Sequence, residues 1–223
     1  MSHSPLKPSK TRMRLIAAAS RIFAEKGFQE TTIAEICKQA QTNIAAVNYY
    51  FRDKQSLYLE AWRYAFHQDL AMHPPDGGIA ADAPPEQRLA GRIRSLIARI
   101  ATDDSHFFAI INKEMAQPTA LLPEILEKEI NPQRLAMLAL IKECLGSEAN
   151  DQTIHYCHAS IIGQCFHLLR IKHIQNNYPA MKTCPELDDS AAYAEHVIGF
   201  SLAAIHALRD RLEHGHGDNP WPC

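Results

Sequence analysis

Apolar positions along the chain recur mostly three or four residues apart. From about Thr11 to Lys26, Leu15, Ile16, Ala19, Ile22 and Phe23 share one face, which predicts an amphipathic helix of about four turns closed by Gly27. Thr32 and Glu35 stand at capping-box spacing, so a short second helix runs to about Ala40. Asn43, or Thr42 beside it, suits the N-cap of a third helix from about Ile44 to Tyr50. Asp53 suits the N-cap of a long fourth, on which Leu57, Ala61, Tyr64 and Ala65 share a face. Two short helices joined by three or four residues and packed on a longer first helix make a helix-turn-helix.

The stretch MHPPDGGIAADAPP (72–85) interrupts this pattern with four prolines and a glycine pair, and reads as a loop. Helical periodicity resumes at about 86–101, 104–116, 119–130, 132–145, 151–175 and 189–213, before the polar tail HGHGDNPWPC. Strand-like alternation is missing from the pattern. The expected fold is all-α: an N-terminal three-helix helix-turn-helix domain over 1–52, and a helical effector-binding and dimerisation domain over 53–223.

Charge adds a direction to this picture. The net charge of −2 is uneven, because residues 1–66 carry 10 Lys or Arg against 5 Asp or Glu, while the remainder carries 13 against 20. A basic first third joined to an acidic remainder expects only the first part to meet a polyanion. Neither a signal-peptide pattern nor an apolar run of about 18 residues is present, so a cytoplasmic, non-membrane protein is expected. Cysteines 37, 144, 157, 165, 184 and 223 are irregularly spaced and read as free thiols.

The candidate chemistry concentrates in TNIAAVNYYFRDKQSL (42–57). On a helix, Val47 and Phe51 face inward, leaving Ile44, Ala45, Asn48 and Tyr49 on the other side. Small residues at 45 and 46 permit close approach to a groove, Asn48 can hydrogen-bond a base edge, and Ile44 or Ala45 can touch a thymine methyl. The hydroxyls of Thr32, Thr42, Tyr49 and Tyr50, the Lys54 ammonium and helix N-terminal amides suit phosphate oxygens. The basic leader, with Lys7, Lys10, Arg12 and Arg14, is placed to reach DNA backbone or a minor groove. The plainer alternative is a small helical subdomain whose tyrosines are half-buried packing residues.

From Thr31-Thr32-Ile33 through Ile36, Ala40, Val47, Tyr50-Phe51, Lys54 and Leu57, roughly residues 11–60, the segment resembles the DNA-binding domain of TetR-type transcriptional repressors. The resemblance implies a homodimer on a palindromic operator, with Ile44, Ala45 and Asn48 toward bases and Thr32, Thr42, Tyr49 and Lys54 toward phosphates. Gln41 stands where that family usually has glycine, Thr42 where it has valine, and Asn48 where it often has tyrosine. KEMAQPTALLPEILEKEINP (113–132) and SIIGQCFHLLR (160–170) resemble the C-terminal domain of the CecR-type subgroup, named for regulators linked to antibiotic sensitivity and export. A ligand-released repressor of export or antibiotic-response genes is the function this implies.

In the second part, Ala159, Ile162, Gly163, Phe166 and Leu169 on one helix, and Gly199, Phe200, Ala203, Ala204, Ala207 and Leu208 on the next, form stripes suited to a two-fold four-helix interface. Phe107, Phe108, Asn112, Met115, Cys165 and Phe166 are the candidates for an interior that takes a small organic inducer. His155, Cys157 and His158 raise a metal reading, but the cysteine points away from the histidine pair on a helix, so no metal or other cofactor is expected. With no GxSxG, Walker or dinucleotide motif, the chain reads as no enzyme. The alternative class is a helical small-molecule-binding protein or hydrolase that does not bind DNA.

Overall fold

A computed structural model describes residues 9–103, 105–178 and 189–214. The elements are α1 (Lys10–Glu30), α2 (Ile33–Gln39), α3 (Ile44–Phe51), α4 (Lys54–Met72), α5 (Pro85–Ala101), α6 (His106–Ala116), α7 (Leu122–Ile125) running into a π-helical turn (Leu126–Ile130), α8 (Asn131–Leu145), α9 (Asp151–Asn177) and α10 (Ser190–His214). The described residues contain no strand, and the expected all-α fold stands. The helices pack as two compact units, one of α1–α4, α6, α7 and the π turn, the other of α5, α8, α9 and α10.

The first unit is organised around aromatic side chains. The face of α1 predicted from periodicity is buried, with Leu15, Ala19 and Phe23 fully enclosed. Phe23 and Phe28 both meet the ring of Tyr58 edge-on, at 4.7 and 5.0 Å, and Trp62 meets Phe107 at 5.1 Å. Such pairs contribute about 0.5–1.5 kcal/mol each beyond their burial. Tyr58 also donates to Glu114 Oε1 at 2.6 Å, while Glu114 Oε2 accepts from the Thr119 amide and hydroxyl at 3.0 and 3.2 Å. The buried carboxyl thereby ties α4 to the turn after α6, and KEMAQPT supplies both the acceptor and the group it caps.

Two details of α1 and α7 differ from the sequence expectation. Gly27 does break the helix, but with φ 80 and ψ 176 it makes a kink, and a further turn runs to Glu30. The Thr31 hydroxyl donates to Gly27 O at 2.7 Å and holds that turn. The helix expected over 119–130 starts at Leu122 and widens into a π turn, where Glu124 and Glu129 both reach Arg63, at 3.2 and 2.9 Å.

In the second unit, Leu89, Ile93, Ile97 and Ile100 make the buried face of α5, which packs against α8, α9 and α10. The loop before α5 is fixed by contact of backbone on backbone. A Cβ on Gly91 would stand 2.4 Å from Asp76 O, and one on Gly77 would stand 2.5 Å from Gly91 O. Only glycine fits such an approach.

Candidate nucleic-acid interface

The α2 N-terminus forms the capping box that the sequence announces: the Glu35 amide donates to the Thr32 hydroxyl at 3.2 Å, and Glu35 Oε2 accepts from the Thr32 amide at 3.0 Å. Glu35 also pairs with Lys26 at 2.5 Å. The Lys26 hydrogen bond, followed by those from Thr32, holds the Glu35 carboxyl down at about 2. Thr32 itself is exposed, although its hydroxyl also donates to Glu35 Oε2 at 3.0 Å.

The turn into α3 carries strain. Gln41 sits at φ 51, in the left-handed region that costs an L-residue roughly 1–2 kcal/mol. Arg14 holds this turn from α1, its Nε donating to Ala40 O at 2.9 Å and its Nη2 to Gln41 O at 2.6 Å. Arg12 pairs with Glu60 and lies 5.3 Å over the Phe51 ring. This narrows the reading of the leader: Arg12, half-buried, and Arg14, still exposed, both have partners within the protein and brace the helix-turn-helix. Lys10 is exposed, and Lys7 lies outside the described residues.

Helix α3 divides as its spacing predicts. Asn43 caps it by accepting from the Ala46 amide at 3.0 Å, and Val47 and Phe51 are buried. Ile44, Ala45, Asn48 and Tyr49 are all exposed, Tyr49 to 81%, on the opposite side. Tyr50 is half-buried, edge-on to Tyr49 at 4.9 Å. Thr42 is half-buried as well. Asp53 caps α4 through the Ser56 amide at 2.7 Å. The Lys54 ammonium lies 4.4 Å over the Phe28 ring and donates to Gln29 O at 3.4 Å, and burial pulls its pKa below the ordinary lysine value.

The residues assigned to an inducer are not all interior. Phe107, Phe108 and Cys165 are buried and Asn112 is half-buried, but Met115 is 74% and Phe166 38% exposed. Met115 follows Glu114 on the solvent side of the last turn of α6, and Phe166 follows Cys165 onto the outer face of α9. Neither lines a closed interior, and the two sets belong to different units. Sequence reasoning missed Trp62, fully buried beside Phe107 with its Nε1–H unpartnered. The face read for this helix was Leu57, Ala61, Tyr64 and Ala65, and an orphaned donor shows only in coordinates.

The stripes of α9 and α10 are open to solvent except at Leu169, which is buried in the core, and Leu208, which is half-buried. Ala159, Gly163, Phe166, Gly199, Phe200, Ala203 and Ala207 are exposed and Ile162 is half-buried. A groove of about 250 Å³ runs between the two helices past Tyr156, Cys157, Ile161, Phe200 and Ala204. On α9, His155 Nδ1 donates to Asp151 O at 2.7 Å, and burial lowers the pKa of His158. No cluster of three or more His, Cys, Asp or Glu arranged for a metal occurs among the described residues. Cys184, Cys223 and His216 lie outside the described residues.

An exposed helix face of small, amide and phenol side chains, on a braced helix-turn-helix joined to a second helical unit, is the build of a DNA-reading regulator. The chain matches the family described as bacterial regulatory proteins, tetR family, over residues 15–61, and the C-terminal domain of the HTH-type transcriptional dual regulator CecR over residues 85–205. It is 33% identical to the dual regulator CecR of Shigella flexneri over 167 residues, covering 70% of this chain and 74% of that one. Among solved structures, the fatty acid degradation regulator FadR of Bacillus halodurans superposes with a TM-score of 0.67 at 16% identity, covering 88% of this chain and 96% of its own. FadR of Bacillus subtilis in complex with stearoyl-CoA also gives 0.67 at 16% identity, with coverages of 87% and 99%. The chain belongs to the TetR family of transcriptional regulators, with a C-terminal domain of the CecR type. It is a DNA-binding regulator and not an enzyme, which sets aside the hydrolase alternative.

Proposed function

We propose that the chain acts in the cytoplasm as a homodimeric repressor of export or antibiotic-response genes, binding a palindromic operator and leaving it when a small organic ligand is bound. The reading rests chiefly on the face of α3, where four exposed residues stand opposite two buried anchors. Ile44, Ala45 and Asn48 meet base edges, and Thr32, Thr42, Tyr49, Tyr50 and Lys54 meet phosphates. Contacts from Thr32 and Lys54 use N–H and O–H groups that the internal bonds leave available or exchange.

One short recognition helix reads only a few base pairs, so two copies spaced by about 34 Å are needed for useful specificity. The exposed stripes of α9 and α10 supply the pairing surface. Helix α10 is long and apolar enough by length and composition to span a bilayer, and in this reading a partner subunit covers that surface.

The ligand has to favour the DNA-incompetent arrangement to release the operator. Phe107 and Phe108, with the unpartnered Trp62 Nε1–H beside them, suit an apolar molecule carrying a hydrogen-bond acceptor. One relative of the same fold is solved with stearoyl-CoA, a long apolar chain on a polar head.

The test is a duplex enriched by the protein from a random library, titrated across a salt series. Asn48→Ala should change which base is preferred, whereas Lys54→Ala should weaken every duplex and flatten the salt slope by about one unit per subunit. Unchanged binding in both variants would put the docking face elsewhere.

A further inference from the structure

The turn between α3 and α4 holds the second non-glycine residue with positive φ. Arg52 has φ 70 and ψ −49, and the Asp53 amide donates across it to Phe51 O at 2.8 Å. This three-residue turn is a rare, strained form, and backbone strain of this kind costs of order 1–3 kcal/mol. Its effect is to reverse the chain at the end of the recognition helix while keeping Arg52 exposed.

The neighbouring cations are committed elsewhere. Arg12 is on Glu60, Arg14 on Ala40 O and Gln41 O, Lys26 on Glu35, and Lys54 on Phe28 and Gln29 O. Asp53, the acid adjacent to Arg52, spends an oxygen on the Ser56 amide. No carboxylate forms an ion pair with Arg52 among the described residues. An exposed arginine thus stands at the C-cap of α3, one helical turn on from Asn48, whose carbonyl accepts from the Arg52 amide at 3.2 Å.

We propose that Arg52 is a further DNA-positioning residue, a guanidinium that clamps a backbone phosphate at the edge of the recognition helix. The proposal rests on the DNA-binding reading and adds a contact to the face described above. Arginine suits the role because its planar fork takes two phosphate oxygens at once, and a strained residue held at the edge of a binding face is a mark of function.

The experiment uses the full-length protein and the duplex it enriches from a random library. Arg52→Ala should flatten the slope of log K against log salt by about 0.9 for each arginine removed, and lose affinity by about eightfold per arginine at 0.1 M salt. Arg52→Lys should keep the slope. Arg52→Gly adopts the positive φ freely and should melt no lower than the wild type, yet lose the same slope, which separates the phosphate contact from the fold. Wild-type slopes in the alanine and glycine variants would overturn the proposal, as would a lysine variant that behaves like alanine. A wild-type protein that enriches no duplex would instead remove the DNA-binding reading itself, and this proposal with it.

Discussion

Gln41 shows how a single residue can be placed by sequence and still hide its conformation. Its position as a turn between two short helices was plain from capping and periodicity, and the family resemblance marked it as a usual glycine site. The side chain gives no sign that the backbone is left-handed, because the stabilisation comes from Arg14, 27 residues away. Gln41→Gly removes a left-handed cost of roughly 1–2 kcal/mol and adds about 0.5–1 kcal/mol of unfolded-chain entropy. Urea unfolding should therefore show a gain of up to about 1.5 kcal/mol, and Gln41→Val should instead destabilise the fold. Glu114 gives the opposite case, a polar residue that the pattern placed on no face and the fold made central. Tyr58→Phe leaves one carboxyl oxygen of Glu114 buried without its 2.6 Å partner and should cost about 1.5–3 kcal/mol, also read by urea unfolding. Burial first, then Glu114, pushes the Tyr58 hydroxyl above its ordinary pKa, so the tyrosinate absorbance should be missing at pH values where exposed tyrosines have titrated.

At the scale of the element, helix ends were the most readable feature because their signals are local. Thr32, Asn43 and Asp53 each cap where a short-range pattern puts them, and α5 and α8–α10 lie within a few residues of the expected spans. The π turn was not readable, since nothing in LEKEI marks a change in hydrogen-bond step and Arg63 lies far off in sequence. The α2 cap also predicts a pH effect. Its Glu35 carboxyl is held below the usual range in the folded state, so its contribution is complete above the unfolded value near 4.5 and is lost as pH falls toward 2. Thermal melts between pH 5 and 2 should fall less steeply for Glu35→Gln than for the wild type. At α5, Gly91→Ala sets a helix-propensity gain of about 1 kcal/mol against a methyl 2.4 Å from Asp76 O. The clash wins, because the obstructing atom is backbone, and the loop should be displaced. Faster proteolytic cleavage within residues 73–84 and a lower melting temperature would report it.

At the scale of the whole molecule, sequence periodicity found the helices but not their allocation to units. Helix α6 packs on α4 through Tyr58, Glu114, Trp62 and Phe107, and the π turn meets α4 through Glu129 and Arg63, contacts between residues about fifty positions or more apart that no local pattern encodes. The stripes on α9 and α10 were legible for a simpler reason: an apolar helix face with glycines and alanines at three- and four-residue spacing is visible in one dimension. What lies against that face decides the oligomeric state, and the glycines offer a direct probe. A Cβ added at Gly163 or Gly199 meets nothing within 4 Å in the protomer, so a leucine at the exposed Gly199 starts into open space and gains helix propensity. In an isologous interface the same leucine enters twice, once from each subunit, and overpacking at about 1–3 kcal/mol per site weakens association by about 2–6 kcal/mol. Size-exclusion light scattering should show the wild type as a dimer and Gly199→Leu shifted toward monomer at micromolar concentration, with unfolding of the monomer no easier. In the proposed dimeric reading of a palindrome two recognition helices act together, so the variant should also lose most of its binding to a palindrome while retaining that to a half-site. A Gly199→Leu protein that stays dimeric at the same concentrations would move the interface off this face.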